Sequence, residues 1–207
     1  MIRTFKEYYS EGQEDVKSVA LLAGGFKPPT RGHFMAFNYL LNDVSTDADR
    51  GIVYVGKGDR ELIKDDPSKG VITQEQAIKI WQIYAKYLGK PVEIKLSPKT
   101  PVKDVYDYAD ANLNKKLIVG GGGPREISPG EFDEGDMKRW NYFIKNQEKY
   151  PLVQVVEIPP QEQGMRGTDI RRLLADDLDA GIEAFVPQGE NGISESDKDK
   201  IKSILSA

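Results

Sequence analysis

Three short runs of apolar residues are bounded by glycine rather than alternating with polar positions. They are Ser18-Val19-Ala20-Leu21-Leu22-Ala23 before Gly24-Gly25, Ile52-Val53-Tyr54-Val55 between Gly51 and Gly56, and Leu117-Ile118-Val119 running into Gly120 to Gly123. A strand wetted on one face alternates, whereas a strand covered on both faces reads as a continuous apolar run. Val92 to Leu96 and Leu152 to Ile158 supply two further strands. Helical stretches separate them. Phe34 to Leu41 is one, and Thr73 to Leu88 is the clearest, with Thr73 and Gln76 as a capping box and Gly89 with Pro91 as a stop. Pro101 opens a third, about Asp136 to Lys149 forms a fourth, and Gly167 to Asp176 a fifth. Ile182 to Val186 reads as a short apolar segment, and Ser194 with Asp197 caps a terminal helix. Strands alternating with helices predict an α/β fold, a Rossmann-like doubly wound parallel sheet of about five strands with a small C-terminal helical extension. The organisation that follows is an N-terminal arm over 1–17, one domain over 18–187 and a helical tail over 188–207.

Composition narrows the chemistry. With no cysteine among 207 residues, thiolate metal sites, disulfides and cysteine nucleophiles are excluded, and a single histidine excludes multi-histidine zinc centres. A formal charge of −4 argues against a nucleic-acid surface, which carries a basic footprint. No segment approaches the roughly 20 apolar residues of a membrane span, and the start of the chain does not resemble a signal peptide. The expectation is a cytoplasmic protein without membrane or nucleic-acid partners, and a homo-oligomer is open to it.

The one histidine lies in Ala23-Gly24-Gly25-Phe26-Lys27-Pro28-Pro29-Thr30-Arg31-Gly32-His33-Phe34. Gly24 and Gly25 let backbone or ligand approach closely, and the proline pair stiffens the loop. Thr30 to His33 then fall at a helix N-terminus, where free N–H groups and the helix dipole attract anions. The loop follows a strand's carboxyl end, where ligands bind in such sheets. It matches neither a Walker A loop nor a dinucleotide fingerprint. A second anion-attracting turn is Met165-Arg166-Gly167-Thr168-Asp169-Ile170-Arg171, in which Arg171 emerges one turn into a helix, able to grip phosphate oxygens in a bidentate way.

The pattern Gly-x-Phe-x-Pro-x-Thr-x-Gly-His resembles the signature of the HxGH-type nucleotidyltransferase (cytidylyltransferase-like) superfamily. Thr30 stands at the first-histidine position, as in the pantetheine-phosphate adenylyltransferase branch. The Gly-Thr-x-x-Arg turn resembles that superfamily's second signature, with Arg166 where a serine is common. The resemblance spans about Val19 to Pro187, and the stand-alone layout resembles versions encoded by tailed phages. It implies transfer of a nucleotidyl group from an NTP to a phosphate-bearing small molecule, with Mg²⁺ carried mainly by the nucleotide phosphates. The motif forms look more like adenylyltransferases, which favours ATP as donor and nicotinamide mononucleotide as acceptor. A cytidylyltransferase acting on a phosphorylated alcohol or sugar, or a non-catalytic nucleotide-binding module, is the alternative.

Carried over residue by residue, the resemblance makes Thr30, His33, Arg171 and Lys57 the catalytic set. Gly24, Gly25, Phe26, Lys27, Gly32, Gly167 and Thr168 become nucleotide contacts. Gly120 and Gly121 pass the base against backbone, and Arg60 and Trp140 meet the acceptor. Each has a plainer reading. Lys57, Arg60 and Lys64 are ordinary residues of a polar loop, Gly120 and Gly121 a flexible strand end, and Trp140 a packing residue. Asp133, Glu134 and Asp136 read as a solvated loop and helix cap, with no protein metal site expected. Arg172 reads as solvated.

Overall fold

The computed structural model describes residues 17–43, 46–123, 126–132, 134–158, 166–189 and 192–207. The arm up to residue 16, Asp133 and Met165 lie outside them. The first apolar run is β1 (Ser18–Gly24), followed by α1 (Arg31–Asn42) and β2 (Arg50–Gly56). A hairpin of β3 (Arg60–Ile63) and β4 (Asp66–Ile72) precedes α2 (Gln74–Ala85) and β5 (Val92–Ser97). Then come α3 (Pro101–Asp110), β6 (Lys116–Gly122), a small hairpin β7 (Glu126–Ser128) and β8 (Glu131–Phe132), α4 (Glu134–Lys149) and β9 (Val153–Ile158). Three helices follow: α5 (Gly167–Asp176), α6 (Leu178–Phe185) and α7 (Glu195–Leu205).

Five strands form one parallel sheet in the order β5-β2-β1-β6-β9. The chain winds outward from β1 through β2 to β5, then returns to β6 on the other side of β1. This is a doubly wound, Rossmann-like α/β sheet, with its reversal between β1 and β6. Successive β1 side chains point to opposite faces. Ala20 and Leu22 join the core under α1, α2 and α5 to α7, while Val19 and Leu21 join the core under α3 and α4. Both sets are buried, which is why the run carries no polar alternation.

α1 lies directly on glycine. A Cβ at Gly51 of β2 would stand 2.4 Å from the Phe37 ring, and one at Gly120 of β6 would stand 2.2 Å from a Leu40 methyl. Phe34, Phe37, Leu40 and Leu41, spaced along one helix face, are almost wholly buried. The glycines therefore set how deeply α1 sits, and with it the position of its N-terminal turn.

The carboxylate of Asp197, at the start of α7, is buried. It accepts hydrogen bonds from Lys200 at 2.7 Å, Tyr87 at 2.8 Å and Lys86 at 3.3 Å, which hold its pKa down at about 2. This contact fastens α7 to α2. Three stretches differ from the sequence-based expectation, one of them the small β7–β8 hairpin, where no strand was expected. The polar loop after β2 pairs into the β3–β4 hairpin, closed by Asp65 at a φ of 63°. The apolar segment at 182–186 is the end of α6, capped at its start by Asp177, whose side chain accepts from Ala180 N–H. Among the described residues no helix is long and apolar enough to cross a membrane.

Candidate functional site

Thr30 is the N-cap of α1, with its hydroxyl 3.5 Å from the His33 amide. The His33 ring completes the capping box from the other side, Nδ1 accepting the Thr30 N–H at 2.9 Å. Histidine thus stands where Glu or Gln usually closes the box. An Nδ1 that accepts has no proton, so the neutral ring carries its hydrogen on Nε2. Phe26 packs edge-on against the ring at 4.9 Å between centroids and against Trp81 at 5.3 Å. One part of the imidazole meets the cleft, but the protein packed around the rest desolvates it and lowers its pKa to about 4. At neutral pH His33 is an uncharged, rotationally fixed Nε2–H donor.

Phe26 reaches this position with a φ of 49°, a left-handed conformation that costs a residue with a Cβ about 1–2 kcal/mol. Burial of the ring offsets that cost. Gly24 is what gives it room, since a Cβ there would lie 2.6 Å from the Phe26 ring. The Lys27–Pro28 peptide is cis. Behind the loop, buried Tyr84 donates to the Pro29 carbonyl at 3.2 Å.

The loop after β1, the loop after β2 and the first turn of α5 enclose a cleft of about 480 Å³. Gly25, Phe26, Lys27 and His33 line it from the first, Lys57, Asp59 and Arg60 from the second, Gly167 and Arg171 from the third. Arg166, the N-cap residue of α5, makes no capping hydrogen bond through its side chain, and a helix N-terminus offers N–H donors to an anion. Lys27 donates from Nζ to the Gly25 carbonyl at 2.9 Å and to the Gly56 carbonyl, which ties the first loop to the end of β2. Its ammonium pKa is lowered by burial and then by Arg60, against an opposing pull from Asp59. Arg171 donates to the Lys27 carbonyl at 3.1 Å and to the Thr168 hydroxyl at 3.2 Å. Burial and the neighbouring Arg60 lower its pKa. No carboxylate among the described residues forms an ion pair with Lys27, Lys57, Arg60 or Arg171. Asp59 is the one acidic residue lining the cleft among the described residues, and its Oδ1 accepts the Gln74 amide at 3.2 Å, partly occupied with α2. The site has a strong surplus of positive charge.

Most of the residues singled out from sequence therefore meet here, from segments far apart in the chain. Others take different places. Thr30 is buried behind His33 and positions it. Gly24 and Gly32 do not line the cleft, and Thr168 faces an adjoining compartment. Gly120 and Gly121 lie under helices on opposite faces of β6: a Cβ at Gly120 would meet Leu40, and one at Gly121 would stand 3.2 Å from the Phe143 ring. The same Cβ would stand 3.8 Å from Trp140, on the α4 side. None of these three residues lines the cleft. Arg31 turns away from it and donates to the Val186 and Glu183 carbonyls at 3.0 and 3.3 Å, a cap on the end of α6. Sequence reasoning missed Asp59 and the hairpin; the Lys64-Asp65-Asp66-Pro67 turn was their only local signal.

Sheet order and cleft together define the class: a Rossmann-like α/β domain with a cationic cleft at the carboxyl ends of β1 and β2. No family profile matches the chain, and no curated protein sequence matches it. Solved structures do. One is nicotinic acid mononucleotide adenylyltransferase of Plasmodium falciparum in complex with NaAD, 16% identical, with a TM-score of 0.43 over 76% of this chain and 84% of that one. A likeness of that degree does not assign an activity.

Proposed function

We propose that this chain is a nucleotidyltransferase, moving a nucleotidyl group from an NTP to a phosphate-bearing small molecule with release of pyrophosphate. ATP is the donor and nicotinamide mononucleotide the acceptor in this reading. The observation that carries it is the meeting of two sequence signatures, around His33 and around Arg171, at one cleft whose cations form no ion pair with a carboxylate among the described residues.

The acceptor phosphate needs no general base, because its second pKa is about 6 and it is already largely ionised near neutrality. Its oxygen attacks the α-phosphorus while the bond to the β-phosphate oxygen breaks, and the electron pair leaves with pyrophosphate. Catalysis then rests on alignment and charge stabilisation. His33, uncharged and fixed by the capping box, supplies an Nε2–H donor. Arg171 and the open N-terminus of α5 receive the triphosphate tail, and Lys57 the reacting phosphates. No group of three or more metal-ligating side chains occurs among the described residues. A nucleotide-borne Mg²⁺ fits this cleft, where phosphates and water would supply most ligands and Asp59 the one available carboxylate. The ion would supply further neutralisation of phosphate charge.

The test is pyrophosphate release from ATP, and separately from CTP, on adding nicotinamide mononucleotide and a panel of other phosphomonoesters. Release with CTP alone moves the reading to a cytidylyltransferase. Tight nucleotide binding with no release for any acceptor overturns the enzyme reading in favour of a binding module.

A further inference from the structure

The cleft does not end at Arg171. Asp59, Arg60 and Arg171 also wall a second compartment of about 550 Å³, set between the β3–β4 hairpin and the first turns of α5. Lys64 and Arg172 add two more cations, against Glu61 as a second acid beside Asp59. Leu62 and Val71 of the hairpin give it an apolar wall, and Val71 is one of the few large apolar side chains that is substantially exposed. Positive charge beside a low-dielectric wall focuses the field and concentrates anions.

Asp59 accepts the Gln74 amide and Glu61 accepts the Asp65 amide at 2.8 Å. Lys64 and Arg172 stand 3.9 Å from Asp65 and 3.8 Å from Asp169 in exposed pairs, each weak enough for a multiply charged anion to displace. Arg60 has no ion pair among the described residues, yet it is close enough to Arg171 to disfavour that residue's charge. Two guanidinium groups held together without a carboxylate leave an excess that a multiply charged anion would balance.

We infer that this second compartment receives the diphosphate leaving group, handed on by Arg60 and Arg171 to Lys64 and Arg172. The inference rests on the reaction proposed above. In that reaction the bridging oxygen gains negative charge as the α-phosphorus bond breaks, so cations beyond Arg171 attract the released diphosphate more than the intact nucleotide. The compartment draws the product away from the reacting phosphorus and opposes the reverse transfer.

Calorimetric titration of the full chain with inorganic pyrophosphate, and separately with αβ-methylene-ATP, tests this. The double variant Lys64→Ala/Arg172→Ala is expected to bind pyrophosphate roughly three- to tenfold more weakly, the size of two solvent-screened contacts, while its affinity for the ATP analogue stays within about twofold. Raising the salt should shrink the pyrophosphate difference. Unchanged pyrophosphate affinity in the double variant, or equal losses for both ligands, overturns the compartment. So does a wild-type chain that binds the analogue but not pyrophosphate. A wild-type chain that binds neither overturns the proposed reaction itself.

Discussion

Gly120 separates a packing role from a ligand-binding one. A Cβ there would stand 2.2 and 2.7 Å from the two Leu40 methyls and 2.8 Å from Ile158 Cδ1, and Leu40 is fully buried with nowhere to retreat. Gly120→Ala should therefore destabilise the fold by about 1–3 kcal/mol, as overpacking does. Leu40→Ala should cost about 2–5 kcal/mol through lost burial and a cavity. In the double variant the added methyl enters the space Leu40 has vacated, so its stability should lie close to that of Leu40→Ala alone. The coupling energy should then nearly equal the whole Gly120→Ala cost, about 1–3 kcal/mol, within the range for residues in contact. Equilibrium urea unfolding of the four proteins measures it. Additive costs would refute the packing account. Nucleotide affinity of the same four proteins gives the second readout: a defect in Gly120→Ala that persists in the double variant would return Gly120 to base recognition.

His33→Ala should lower kcat by about 10²–10³, the usual cost of one preorganised donor, with the acceptor KM nearly unchanged; steady-state kinetics checks it, and His33→Asn should recover part of the loss. Because the folded-state pKa of His33 is depressed to about 4 from an ordinary 6.5, the unfolded chain binds the extra proton first as pH falls. That component of stability is complete above about pH 7 and is lost between about pH 6.5 and 4, so wild type should lose melting temperature over that window more steeply than His33→Asn. Arg171→Ala should weaken ATP binding more than acceptor binding, and separate calorimetric titrations of the two substrates decide it.

The sheet was legible because burial on both faces leaves an unbroken apolar run, and β1, β2 and β6 show it plainly. The helices at Thr73 and Pro101 were legible from caps and stops that act within a few residues. The β3–β4 hairpin was not, since β3 has only 4 residues, β4 is largely polar and exposed, and Pro67 and Gly70 within β4 argue against a strand. In the site, the residue types of both signatures pointed to phosphate chemistry, but not to which atom of each would be free. Thr30 reads as a ligand contact in sequence, while its hydroxyl in fact faces the His33 cap. Lys27 reads as a phosphate cation, while two of its hydrogens are spent on the Gly25 and Gly56 carbonyls. Gly120 reads as a flexible strand end because Leu40, its reason for being glycine, lies far away in sequence.

The place of β1 in the sheet also matters to a chain still being made. The first described strand is the central one, and its partner β6 emerges roughly 100 residues later, a delay on the order of 5–20 s at ordinary synthesis rates. During that interval the backbone groups of Ser18 to Leu22 that will pair with Lys116 to Gly120 form an open edge, a template for pairing with a neighbouring nascent chain. The cleft assembles later still, since Arg171 reaches the Lys27 carbonyl from 144 residues further along. A ribosome-bound chain halted before α5 would hold His33 on its helix yet lack the guanidinium opposite, and slower translation would lengthen the exposure of the edge.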